Sequence, residues 1–286
     1  QLLRELAPHV VAVYYVACYG TLGALANFHP LVQVTSGSDV LLTHKRPWLR
    51  YVARRNLRQA DLVTAWAPHM AEAAMQLGVP QERLFVLPRG IPASAFTRVQ
   101  CRPPAAGEDC VRLVSTRSLK AGYQVETLVT VAQALKAAGL HFQLTLVGDG
   151  PLRPQIEEQI ERSDLRDEVH ISGFVPNADL PALLAQHHLY ISLVPSDGVS
   201  ASLLEAMGVG LLPIVPRNPA NEYWLKHGQT GVLLDTEDPQ TIAQTILEAA
   251  HNLTLRSHAR LINPALVQNK ADMAQNANAY VARFSQ

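Results

Sequence analysis

The sequence has no surplus of either charge: 24 Lys and Arg stand against 24 Asp and Glu in 286 residues. A zero balance argues against nucleic acid, or any strongly acidic molecule, as a partner. Cysteine is also scarce. Cys18, Cys101 and Cys110 have no metal-ligand spacing, and any single disulfide leaves one of them over, which points to a reducing compartment and so to the cytoplasm. No apolar run approaches the roughly 20 residues of a membrane-spanning helix, and no leader pattern opens the chain. A small-molecule or glycan-like partner is the expectation that survives.

What the chain does have is hydrophobic residues, 48% of the total, arranged in a regular alternation. From Val111 onward, short runs of strand character (Val111 to Thr116, Phe142 to Val147, Val169 to Ser172, Leu189 to Leu193, Leu211 to Val215, Val232 to Leu234) alternate with helical stripes. Val125, Leu128, Val129, Ala132 and Leu135 form one such stripe, and Pro151 is read as opening the next helix. Residues 1 to about 90 repeat the pattern in four candidate strands, from Val10, Leu31, Leu62 and Leu84. Strand-helix alternation predicts doubly wound parallel sheets. Ile91 to Asp109 carries prolines and small residues without periodicity. The expected division is therefore a first Rossmann-like domain over 1–95, a linker over 96–109, a second domain over 110–270 and a terminal helix over 271–286.

The segment Ser196 to Pro213, SDGVSASLLEAMGVGLLP, carries the most chemistry. Ser200 and Ser202 are both suitable N-caps for the apolar run that follows. The amides of Gly198, Val199, Ser200, Ala201 and Ser202 then form an anion site at the positive end of the helix dipole. Asp197 and Glu205 flank it with carboxylates suited to sugar hydroxyls. A plainer reading stands beside this one: Ser202 to Glu205 also fits a capping box, in which Glu205 bonds only to its own helix.

This segment resembles the signature of the family 4 retaining glycosyltransferases of the GT-B fold, in which two acidic residues precede an Ala-Met helix and an apolar strand. The resemblance covers nearly the whole chain, including Gly37-Ser38-Asp39 and Gly148-Asp149-Gly150-Pro151. It implies two Rossmann-like domains facing a cleft, with the last helix returning to the first domain. It also implies that Glu205 holds the ribose of a nucleotide donor and Asp197 contacts the transferred sugar. Where the family has Glu before Gly-Phe-Gly, this chain has Asp197, Gly198, Val199, Ser200. The family's opening β-α units and glycine-rich loop are missing, so the first domain is expected to be incomplete.

Arg117 closes the first strand of the second half, where such sheets place ligand contacts, and a guanidinium there can grip a diphosphate with paired hydrogen bonds. The resemblance implies the same role. The family's nearby Lys falls on Gly122, so Lys120 either substitutes or is simply solvated. Gly148 follows an apolar strand, but Arg153 occupies the third glycine position of a dinucleotide fingerprint, so NAD is not expected, and Gly148 is read instead as a donor-binding position on a strand-to-helix loop lining the nucleotide cleft. Phe174 and Val175 match the family's nucleobase segment, or Phe174 is a core residue in a loop. His187 and His188 are adjacent and cannot readily share a metal. Asp39 is a candidate catalytic residue, although relatives often carry a His where this chain has Ser36. Tyr14 and Tyr15 either line the acceptor side or belong to the core.

Lys45 to Arg58 holds six basic residues and no acid, with Trp48, Leu49, Val52 and Leu57 among them. It is either a solvated face or a peripheral contact with the anionic inner face of a membrane. The sequence thus leads to a retaining glycosyltransferase using a nucleotide-diphosphate sugar, without metal or other cofactor, on a glycan or lipid-linked hydroxyl acceptor in cell-surface glycan or glycolipid synthesis. The alternatives are a sugar-nucleotide epimerase of the same fold and a non-catalytic nucleotide-sugar-binding fragment. Poor turnover by this chain alone is expected from the short first half.

Overall fold

A computed structural model of the protein describes residues 2–43, 46–103, 105 and 110–284. Lys45 of the basic stretch and residues 104 and 106–109 of the proposed linker lie outside them.

Two separate parallel sheets carry the fold. The first contains β1 (Val11–Tyr14), β2 (Leu31–Val34), β3 (Leu62–Ala65) and β4 (Leu84–Val86) in sequential order. The second contains β5 (Val111–Ser115), β6 (Phe142–Val147), β7 (Val169–Gly173), β8 (Leu189–Ile191), β9 (Leu212–Pro216) and β10 (Val232–Leu234), in the order β10-β9-β8-β5-β6-β7. That order reverses at β5, which pairs with β6 on one side and β8 on the other. Ligands of such sheets bind beyond the carboxyl ends of the strands at this switch point.

The strands are apolar because both faces are covered: β2 and β8 are buried at every residue. The helix Val125–Ala137 buries all five residues of its predicted stripe against the larger core. Each such Val or Leu contributes about 1.5–3 kcal/mol on full burial. Pro151 does not open the next helix. That helix spans Arg153–Arg162 with Pro154 in its first turn, while Pro151 sits in the preceding turn. A proline suits either place, so the sequence pattern does not choose between them.

The chain divides into two compact units. The first comprises residues up to Arg89, the short stretch Asp197–Val199 and the residues from Ala274 onward; the second comprises Gly90–Ser196 and Ser200–Met273. Within the first, the helix Met273–Phe284 lies along the end of β4: Asn276 Nδ2 donates to the Pro88 carbonyl at 2.8 Å, and the Tyr280 ring meets Phe85 edge-on at 5.5 Å. Within the second, the stretch without periodicity that begins at Ile91 holds a short helix, Ala93–Thr97, which runs into the start of the expected linker and whose Phe96 is buried. All three cysteines are free thiols.

Candidate anion site at the sheet switch point

Arg117 and Ser192 follow β5 and β8, the two strands that meet at the switch point, and their side chains are joined. Arg117 Nε donates to Ser192 Oγ at 3.1 Å, and its Nη2 donates to Ser200 Oγ at 2.6 Å. The Tyr123 ring lies 5.6 Å from the guanidinium carbon, within cation-π range.

Ser200 is the N-cap of the helix Ala201–Gly208, with extended backbone and a side chain that accepts from Leu203 N at 3.2 Å. Two donors therefore occupy its lone pairs, which leaves its hydroxyl proton for Ser202 Oγ, 3.1 Å away. Ser202 also receives the hydroxyl of fully buried Tyr190 at 3.0 Å. The capping box centred on Ser202 is thus overturned: Ser202 lies inside the first turn and faces a tertiary partner. Glu205 sits half-buried on the same helix. Burial pushes its carboxyl above the ordinary range, and the Arg117 charge pulls it partly back.

Gly148 lets two loops come together here. Its φ is +137°, and a Cβ at this position would stand 2.9 Å from the Arg117 carbonyl. Lys120 is exposed on the loop after Arg117. Phe174 is 79% exposed beyond β7, which excludes the core reading, and Val175 is half-buried beside it. His187 and His188 are buried and hydrogen-bonded within the fold, His187 to Leu183 and Thr145, and His188 to Arg112. Among the described residues no cluster of three or more His, Cys, Asp or Glu is arranged to hold a metal ion.

The remaining candidates lie in the first unit. Asp39 is buried, and its carboxylate accepts from the amides of Ser36 and Gly37, both at 2.9 Å, and Val16 at 3.1 Å. Burial raises its pKa, while these backbone donors oppose the rise. Its oxygens are engaged by the protein, so Asp39 anchors the loop after β2. Asp197 accepts from the Gly198 amide at 2.8 Å in a tight turn that continues through Val199. Gly198 packs on that same loop: a Cβ there would be 3.0 Å from the Ser36 carbonyl and 3.3 Å from Met70 Sδ. His69, which the sequence did not single out, stands in the first turn of the helix Pro68–Gln76, beside the Asp197 backbone. Tyr14 and Tyr15 are both exposed and take no part in the core.

Comparison with known proteins gives the chain a family and a fold. Residues 104–265 match the glycosyl transferases group 1 family and residues 1–66 match a glycosyl transferase 4-like family. The chain belongs to the glycosyl transferases group 1 family.

AmsK of Erwinia amylovora, an amylovoran biosynthesis glycosyltransferase, is 26% identical over 248 residues, covering 80% of this chain and 59% of its own. WcaL of Salmonella typhimurium, provisionally a colanic acid biosynthesis glycosyltransferase, is 24% identical over 234 residues, covering 79% and 55%. The chain thus spans little more than half the length of these relatives. Anabaena HepE, solved in complex with UDP and glucose, superposes with a TM-score of 0.80 at 20% identity over 96% of this chain and 77% of its own. The two parallel-sheet, Rossmann-like units are those of the GT-B fold.

Proposed function

We propose that the protein acts in polysaccharide or glycolipid biosynthesis, transferring a sugar from a nucleotide-diphosphate donor to a hydroxyl of a glycan or lipid-linked acceptor, with retention and by the family 4 mechanism. The observation that carries this reading is the clamp of Arg117 on Ser192 and Ser200 at the switch point and the helix N-terminus. As the glycosidic bond breaks, negative charge collects on the leaving diphosphate. Preorganised donors at that charge lower the barrier most. Arg117 and the free amides of Ala201 and Ser202 supply them, with Lys120 near, and no metal is required. Glu205 accepts from the ribose hydroxyls, the exposed Phe174 ring and Val175 meet the base, and Asp197 orients the sugar. In front-face attack the departing phosphate oxygen takes the acceptor proton, so a dedicated base is unnecessary.

The resemblance, the solved relative holding UDP and glucose, and the two biosynthetic relatives support this reading. The protein would work in the cytoplasm, at the inner membrane face where lipid-linked acceptors are assembled. Among the described residues no helix is long and apolar enough to cross a membrane. A thermal-shift screen over nucleoside diphosphates and their sugars tests donor binding, because a ligand that binds only the native state raises its apparent stability. Product NMR with the best donor and a lipid-linked acceptor then reads anomeric configuration. No shift with any nucleotide overturns the reading; an inverted product overturns retention alone.

A further inference from the structure

Arg153 opens the helix after β6, and two carboxylates hold it: its Nε donates to Glu157 Oε1 at 2.7 Å and its Nη1 to Asp149 Oδ2 at 3.0 Å. Partly exposed ion pairs of this kind add little stability. What they fix is the place of the guanidinium. It lies against the end of β7, where a Cβ on Gly173 would be 3.5 Å from Arg153 Nη1. Gly173 turns the chain there at a φ of +73°, in the left-handed region that glycine favours, and its carbonyl accepts from the Gly148 amide at 2.9 Å. The loops after β6 and β7 are thus tied together within the second unit, with Arg153 beside the start of the segment that carries the exposed Phe174 and Val175.

A guanidinium has five N–H groups in one plane, and the two carboxylates occupy two of them. Each oxygen of Asp149 already accepts, Oδ1 from the Gly150 amide at 2.7 Å and Oδ2 from Arg153. The cluster therefore offers a ligand hydrogen-bond donors. Uracil carries a carbonyl where cytosine has an amino group, and guanine one where adenine has an amino group. Arginine pairs with the carbonyl-bearing edge of guanine for this reason. Against an amino group the same donor is left unpaired, which weakens binding.

We propose that Arg153 is a specificity-determining residue whose guanidinium reads a nucleobase carbonyl, and so selects a uracil or guanine nucleotide over its cytosine or adenine counterpart. The inference rests on the base meeting Phe174 and Val175, as in the function proposed above. It adds a side chain that tells one base from another.

Calorimetric titration of the whole chain with UDP, CDP, GDP and ADP tests it. In the wild type UDP should bind at least about tenfold more tightly than CDP, or GDP than ADP, the weight of one charge-assisted hydrogen bond. Arg153→Met keeps an unbranched side chain and removes the donors. It should weaken the preferred nucleotide about tenfold and its amino counterpart no more than about twofold, so that the ratio collapses. Arg153→Lys, which keeps a charge for Asp149 and Glu157 to hold, should recover part of the ratio. If Arg153 only braces the loops or attracts the diphosphate, all four nucleotides weaken together and the ratio stays. A ratio that survives in Arg153→Met, or one absent from the wild type, overturns the role of Arg153 and leaves the donor site standing. Binding of no nucleotide by the wild type overturns both.

Discussion

Arg117 and Ser200 are joined by a 2.6 Å hydrogen bond that ties the loop after β5 to the cap of the helix after β8. The guanidinium is thereby fixed before any ligand arrives, which removes part of the ordering cost of binding.

Arg117→Ala should weaken nucleoside diphosphate binding by roughly 10–100-fold, as expected for loss of a charged hydrogen-bonding group, and nucleoside binding hardly at all. Titration of UDP against uridine measures the difference, and the UDP affinity should be the same with and without a chelator. A strict Mg²⁺ or Mn²⁺ requirement would contradict the metal-free account.

Glu205→Gln separates ligand from scaffold. The folded pKa of Glu205 is raised, so the native state keeps this proton to higher pH than the unfolded chain does. Its contribution to stability therefore falls as pH rises from the ordinary carboxylate value through the raised one. At neutral pH the Gln variant should unfold no lower than wild type, while donor affinity drops. Wild-type donor affinity should also decline on acidification sooner than for an ordinary carboxylate. Unchanged affinity in Glu205→Gln would return Glu205 to a structural role.

Gly148→Ala places a Cβ 2.9 Å from the Arg117 carbonyl at a φ of +137°. The expected cost is about 1–3 kcal/mol in denaturant unfolding, with a parallel loss of nucleotide affinity as the Arg117 loop shifts. A variant as stable as wild type would show that the loop yields freely.

The helix Pro47–Gln59 exposes Arg46 at its cap and Arg50, Arg54 and Arg58 along its length, together with Trp48 at 61% and Tyr51 at 72% exposure. Basic residues beside exposed aromatic rings suit an anionic lipid surface. The protein should sediment with vesicles containing anionic lipid at low salt and release at high salt, and Trp48→Ala should weaken the low-salt binding. No low-salt binding would leave this face as a solvated one.

Much of this architecture was legible in the chain. The ten strands of the described residues lie where β-branched and apolar runs predict them, because parallel strands covered on both faces cannot hide their hydrophobicity. The helix start at Ser200 was legible too, but the choice between Ser200 and Ser202 was not. It is decided by the hydroxyl of Tyr190, a partner on another element that no local pattern announces. Phe174 reads as core by residue type and stands exposed, since a loop beyond a strand end offers it no cover. His69 was invisible for the same reason: what distinguishes it is the distant turn packed beside it, and one histidine after a Pro carries no sign of that.

The hydroxyl of Tyr190, inside the sheet, supports Ser202, which supports Ser200, which receives Arg117. A protein engineer can therefore tune the Arg117 clamp from within β8, at a position the guanidinium itself never meets. Removing that single phenolic oxygen would loosen the far end of the chain of hydroxyls while preserving every residue on the ligand's own surface.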